Sequence, residues 1–355
     1  MNGLKVSPLR NPLVILLLAL PLTLAAELLG WAPVWVFVLA AVSIIPLAAY
    51  IGEATEVLAA YTSPRFGALL NATLGNAAEL IITIVAVRAG LLELVKASIT
   101  GSILGNLLLV LGFSMVIGGA RHGLQTFNQR SAGRNAILLV LAVVALLVPS
   151  LWSHSIGSQS SPKVEALSLG VALVMIVLYG LGLLAARADP QSTSSVEIHQ
   201  RRWSTGRAFL ILALSTAGIV WLSEVLVRVV EPVISGLGVS EFFLGIIIVP
   251  IIGNVAEHLV AVQFAGRNQM DLSVEIAVSS SLQVALFVAP LLVFLSLALG
   301  HPLQLVFNQF ELLALAAGVL ISALVSADGE SSWLEGASLL AVYLILGLAF
   351  FLIPG

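Results

Sequence analysis

The chain has 355 residues, of which 59% are hydrophobic and only 9% charged, whereas a soluble domain carries roughly 25% charged residues. Charge this sparse cannot cover a water-facing surface, so lipid must be the solvent. The formal net charge of -3 leaves no footprint for nucleic acid, and the absence of cysteine excludes disulfides and thiolate chemistry; any ion handled here is a hard cation held by oxygen.

Apolar runs of about 20 residues cross a hydrocarbon core of about 30 Å as helices, and the sequence predicts eleven of them. Their centres fall near Leu20, Val42, Thr83, Leu108, Leu141, Met175, Ala217, Ala256, Leu286, Leu315 and Tyr343. The first run, Leu13 to Ala26, follows Lys5 and Arg10 and has the look of a secretory signal. No small-residue cleavage site leads from it into a polar domain, so a retained span is expected. The second run ends in Gly52-Glu53-Ala54-Thr55-Glu56, and the third carries Gly75-Asn76-Ala77-Ala78-Glu79. After the sixth, the stretch from Arg187 to Arg207 is polar and Ser-rich and divides the chain. The expected organisation is an N-terminal helix (1–30), a first five-helix repeat (31–186), a cytoplasmic linker (187–206) and a second five-helix repeat (207–355). With eleven spans, only Arg88, Lys96, Lys163 and Arg228 of the 15 basic residues fall on one side. Basic residues favour the cytoplasmic loops, which puts the N-terminus and linker in the cytoplasm and the C-terminus on the opposite side.

The repeat is written in the residues. Gly253-Asn254-Val255-Ala256-Glu257 stands 178 residues after Gly75-Asn76-Ala77-Ala78-Glu79, and the same offset sets Gly101-Ser102-Ile103-Leu104 against Ser279-Ser280-Ser281-Leu282. The two GNxAE spans are an odd number of crossings apart and so run in opposite directions, an inverted-topology repeat with its substrate site expected near the midplane. Gly75, Gly253 and Pro250 stand where a helix break would be needed.

An ionised carboxylate at mid-bilayer costs about 2.5–3.5 kcal/mol on insertion scales, so Glu79 and Glu257 need neutralising. Pairing with a buried base is one route, but the nearest basic residues in sequence are Arg88 and Arg267. A bound cation or protons is the other route, and the neighbours suit it. Asn76 and Asn254 each precede their Glu by three positions and share its helix face. Ser102, Asn106, Ser280 and Gln283 on the following spans add neutral oxygens. Ser102, Ser280 and Asn106 equally fit ordinary helix–helix hydrogen bonding. Two carboxylates with several neutral oxygens suit Ca2+, which takes 6–8 oxygen ligands. His258 is either a proton carrier or a packing residue. Glu53, Glu56 and Glu224 either line an access funnel or relay protons, or are hydrogen-bonded acids near the interface. No GxxxxGK[ST], HExxH or GxSxG pattern occurs, so neither ATP-driven transport nor an intramembrane enzyme is expected, and no cofactor is implied.

Six segments together resemble the Ca2+/H+ antiporter (cation/proton exchanger) family over nearly the whole chain. They are GEATE at 52–56, LLNATLGNAAELIITI at 69–84, ASITGSILGNLLLVLG at 97–112, IVPIIGNVAEHLVAV at 248–262, MDLSVEIAVSSSLQVALFVAP at 270–290 and DGESSWLEGASLLAVYL at 328–344. The resemblance implies an all-α integral membrane fold of one extra helix plus two inverted five-helix repeats. It also implies Ca2+ export against H+, with Glu79 and Glu257 as shared Ca2+ and proton sites. Partners are then Ca2+, H+ and the lipid bilayer of the cell membrane, with homo-oligomerisation compatible. A Na+-coupled exchanger and a cation channel are the alternatives. Two features depart from the family pattern. The linker carries only Asp189 and Glu197 where the family usually has an acidic stretch, and Ser279 stands where it usually has Gly.

Overall fold

The computed structural model describes residues 12–62, 67, 70, 71, 73–157, 161–188 and 203–353. Most of the linker, the N-terminal arm and parts of the segment before Gly75 lie outside them. Eleven helices are present among the described residues: α1 (Leu13–Leu28), α2 (Pro33–Ala60), α3 (Ala77–Arg88), α4 (Leu92–His122), α5 (Gln129–Ile156), α6 (Pro162–Ala188), α7 (Thr205–Leu237), α8 (Glu241–Ala265), α9 (Met270–Ala298), α10 (Gln309–Val325) and α11 (Trp333–Leu352). All eleven expected centres fall inside these helices. Eight are long and apolar enough to cross a membrane; α1, α3 and α10 are shorter. The only strands described are the two-residue antiparallel pair Gln125–Thr126 and Glu330–Ser331.

The described chain clusters into two contact units, and both draw on each sequence repeat. One comprises Met1–Val85, Glu197–Glu241 and Ile252–Ala256; the other comprises Ala86–Val196, Phe242–Ile251 and Glu257–Gly355. In the first, α2 and α7 form the most extensive helix pair, with Gly218 leaving room for the Leu47 side chain. The extra helix α1 is fastened to α2 by a buried hydroxyl pair, Thr23 to Ser43 at 3.0 Å. It is tied to α7 by Arg228 Nη1 donating to Glu27 Oε1 at 2.7 Å.

The second unit holds three π-helical stretches that the sequence does not announce. They are π1 (Gly105–Val110) within α4, π2 (Leu244–Ile248) within α8 and π3 (Val284–Val288) within α9. π1 and π3 stand at the offset found in the motifs, so the repeat extends to backbone register. Pro250 and Pro290 follow π2 and π3 closely. A proline removes one helical N–H and crowds the carbonyl four residues back, and a wider turn relieves that crowding. For Pro250 that carbonyl belongs to Ile246, and α4 comes in against it: a Cβ on Gly101 would lie 1.9 Å from Ile246 O. Gly101 is therefore the residue that allows α4 and α8 to meet. Near it, a Cβ on Gly245 would lie 2.7 Å from that of Ala97.

One turn along α4, a Cβ on Gly105 would meet nothing within 4 Å. Gly101→Ala is expected to destabilise the protein by about 1–3 kcal/mol through overpacking against backbone. Gly105→Ala should stay within about 1 kcal/mol of the parent. Thermal unfolding of the detergent-solubilised protein, followed by size exclusion, compares the two.

Candidate functional site

In the first unit the site begins at a helix start. Residues Gly75 and Asn76 form a turn, and α3 starts at Ala77. The break expected at Gly75 is present. Glu79 therefore sits in the first turn of α3, where the helix dipole favours negative charge. Its side chain is fully buried, and Asn76 and Asn254 are each 2% exposed. Asn254, from α8, donates through Nδ2 to Glu79 Oε2 at 3.3 Å. Gly253 brings the two backbones close, since a Cβ there would lie 3.4 Å from Glu79 Cβ. The asparagine of the second motif thus serves the carboxylate of the first. At Gly253 itself α8 is continuous; its departure from α-geometry comes earlier, at π2.

In the second unit Glu257 is half-buried and accepts a hydrogen bond from Ser280 Oγ at 2.9 Å. No ion pair involves Glu257 among the described residues. His258 Nε2 donates to Asn106 Oδ1 at 3.1 Å. Asn106 lies in π1 and is 1% exposed, and its Nδ2 is a buried donor with no acceptor. Ser102 is buried just ahead of π1, and Gln283 is half-buried just ahead of π3. Ser102, Asn106 and Gln283 thus lie at or beside the two π stretches that match between repeats. π-bulges are frequent at functional sites because they re-aim side chains and disturb backbone pairing.

Glu53 is half-buried near the end of α2, Glu56 is exposed one turn on, and Glu224 is exposed within α7. No group of three or more His, Asp or Glu side chains converges as a metal-holding cluster among the described residues. Sequence reasoning passed over the partner of Glu79 across the repeats, because three-residue spacing on one helix pairs Asn254 only with the acid of its own motif. It also passed over Thr83, whose hydroxyl donates to the Glu79 carbonyl at 2.8 Å.

Comparison with known proteins follows the same lines. The family model described as sodium/calcium exchanger protein matches residues 32–187 and 207–352. A Ca(2+)/H(+) antiporter of Aphanothece halophytica is 44% identical, with 96% of each chain covered. The Ca(2+)/H(+) antiporter ChaA of Bacillus subtilis is 42% identical, over 94% of this chain and 96% of its own. Among solved structures, native YfkE superposes with a TM-score of 0.84 at 41% identity, covering 96% of this chain and all of that one. An H+/Ca2+ exchanger, CAX, shares the fold, with a TM-score of 0.75 at 16% identity over 97% of this chain and 92% of its own.

Burial sets the expected ranking of the two hydrogen-bonded acids. Asn254→Leu takes a donor from a dry carboxylate and should cost about 1–3 kcal/mol. Ser280→Ala leaves Glu257 within reach of water and should cost under about 1 kcal/mol. Thermal unfolding of both variants in one detergent tests the order.

Proposed function

The chain belongs to the sodium/calcium exchanger protein family, and from that premise we propose that it is a multi-pass membrane transporter exchanging Ca2+ for H+ by alternating access. Ca2+ leaves the cytoplasm as protons run inward. The N-terminus and linker face the cytoplasm, following the basic residues. Relatives named as Ca(2+)/H(+) antiporters at 42–44% identity over nearly the full length support the ion pair. The observation that carries the reading is the fully buried Glu79 held by Asn254 of the second motif.

Glu79 and Glu257 hold the ion in this reading, one from each repeat, with Asn76, Asn254, Ser102, Ser280, Asn106 and Gln283 supplying neutral oxygens. Ca2+ suits such a mixture because it accepts several oxygens in flexible geometry. Coupling follows from electrostatics. Empty and ionised, two carboxylates in a low-dielectric barrier are penalised by desolvation. Filled with Ca2+ or with protons they are neutralised, so the loaded states are the ones that cross. The two acids titrate as a unit, and each proton taken up displaces a share of the Ca2+ binding charge. With one proton per carboxylate the exchange is electroneutral. A further proton on His258 makes it electrogenic. Glu53, Glu56 and Glu224 serve the access path as attracting charges.

Purified protein in liposomes is expected to accumulate Ca2+ under a pH gradient in Na+-free medium. Glu79→Gln and Glu257→Gln should each abolish that flux at unchanged expression. Uptake that needs Na+ instead of a pH gradient, or that survives either substitution, contradicts the reading.

A further inference from the structure

A second dry carboxylate lies outside the repeat motifs. Glu311 stands in the first turn of α10 and is 1% exposed. It closes a capping box with Asn308: the Glu311 N–H donates to Asn308 Oδ1 at 2.9 Å, and the Asn308 N–H donates to Glu311 Oε2 at 2.8 Å. Its other oxygen, Oε1, accepts from the Thr100 hydroxyl of α4 at 3.4 Å, and Thr100 is itself fully buried. One and two turns earlier on the same face of α4 stand Lys96 and Glu93, joined as an ion pair. Lys96 also donates to the Val306 carbonyl at 3.0 Å. Glu93, Lys96 and Val306 line a cavity of about 270 Å³, together with Glu165 and Gln304. The Glu93 side chain is 63% exposed and that of Lys96 13%. A polar row therefore runs from a cavity to a dry acid, along the helix that also carries Ser102 and Asn106.

The capping box does not explain the ionisable group. Gln serves the same box as well as Glu, so a carboxyl in this dry place supplies something beyond shape. The charged groups that act on Glu311 are Lys96 and Glu93, both on α4; α5 and α11, which also pack against α10, contribute none among the described residues. We propose that Glu311 is a proton-carrying residue of the exchange reaction, loaded from this cavity by way of Glu93 and separate from the carboxylates that hold Ca2+. The inference rests on the reading of the chain as a proton-coupled exchanger.

The step balances as a plain proton transfer. The Glu93 carboxylate takes a proton from a hydronium ion entering the cavity, leaving water behind, and passes it to the Glu311 carboxylate. Glu93 is left ionised again beside Lys96, which stays an ammonium throughout. Ionised Glu311 accepts from Thr100. Protonated, it donates to Thr100 Oγ, because a hydroxyl can do either. Loading thus reverses the side-chain hydrogen bond between Thr100 and Glu311 that ties α10 to α4.

The test measures Ca2+ uptake into liposomes by wild type, E311Q and K96M, with pH varied on one face of the membrane at a time. E311Q keeps the cap and should melt with wild type. Its maximal rate should fall about 10²-fold, the low end of what a positioned proton carrier supplies, and its rate should lose its dependence on pH at one face only. K96M should shift the midpoint of the same profile, because it removes the cation beside Glu311. An E311Q protein with the wild-type pH profile from both faces overturns the proposal. So does an unchanged midpoint in K96M, which decides the matter should E311Q fail to fold. Absence of pH-driven uptake in wild type, or uptake retained by E79Q, would instead overturn the exchange reading itself.

Discussion

A carboxylate removed from water must be met by a cation, a proton or a set of hydrogen-bond donors, and this constraint organises the molecule. The start of α3 and the Asn254 amide answer to it at Glu79. The turn at Gly75 and Asn76 places the acid at the start of α3, where backbone N–H groups and the helix dipole favour its charge. Asn254 adds an amide donor from α8. Donors of this kind hold an anion without cancelling its charge, and uncancelled charge gives a cation reason to bind. A lysine or arginine in the same place would neutralise the acid permanently and leave nothing to exchange.

The backbone is bent to the same purpose. Each of the three π stretches lies in a helix that carries a GNxAE or small-residue motif, and two of them match at the repeat offset. Wider turns cost hydrogen-bond quality, which a bilayer punishes because it offers no water as a substitute. They persist here because the neighbouring helices pack tightly over them. Gly101 against the Ile246 carbonyl is the clearest case: the smallest side chain lets α4 cover a carbonyl that Pro250 cannot serve. Small residues at such contacts are the usual means of bringing membrane helices together, and here they also support the irregular backbone next to Ser102 and Asn106.

The sequence carried the helices and the motifs but not the contacts between distant elements. All eleven helix centres were legible because apolar runs in a charge-poor chain have few other outcomes. The count of span-length helices was less legible. α3 is shortened by its turn, and α10 starts only after the irregular stretch that ends at the Asn308 cap, so hydropathy alone overstates their reach. Glu79, Glu257 and the small-residue runs could be found because an offset of 178 residues is a one-dimensional signal. The partnership of Asn254 with Glu79 could not, since adjacency on one helix suggests the acid of its own motif and only packing reveals the other. The π stretches were hidden for a related reason: hydrophobicity patterns barely distinguish 3.6 residues per turn from a slightly wider winding.

Glu311 shows how a sequence signature can conceal a group as well as reveal one. Asn-x-x-Glu before an apolar run reads as an ordinary helix cap, and the structure does form that cap. What the pattern cannot convey is burial, because whether a cap faces water depends on what the rest of the chain lays over it. Here the loop ending at Asn308 folds against α4, so that Val306 meets Lys96 and Glu311 meets Thr100. The same three-residue spacing that is a surface device elsewhere becomes a dry acid beside a lysine. Away from water the low dielectric around such a group magnifies the consequence of its charge, so a protonation event that would be negligible on an exposed surface changes how two helices are held.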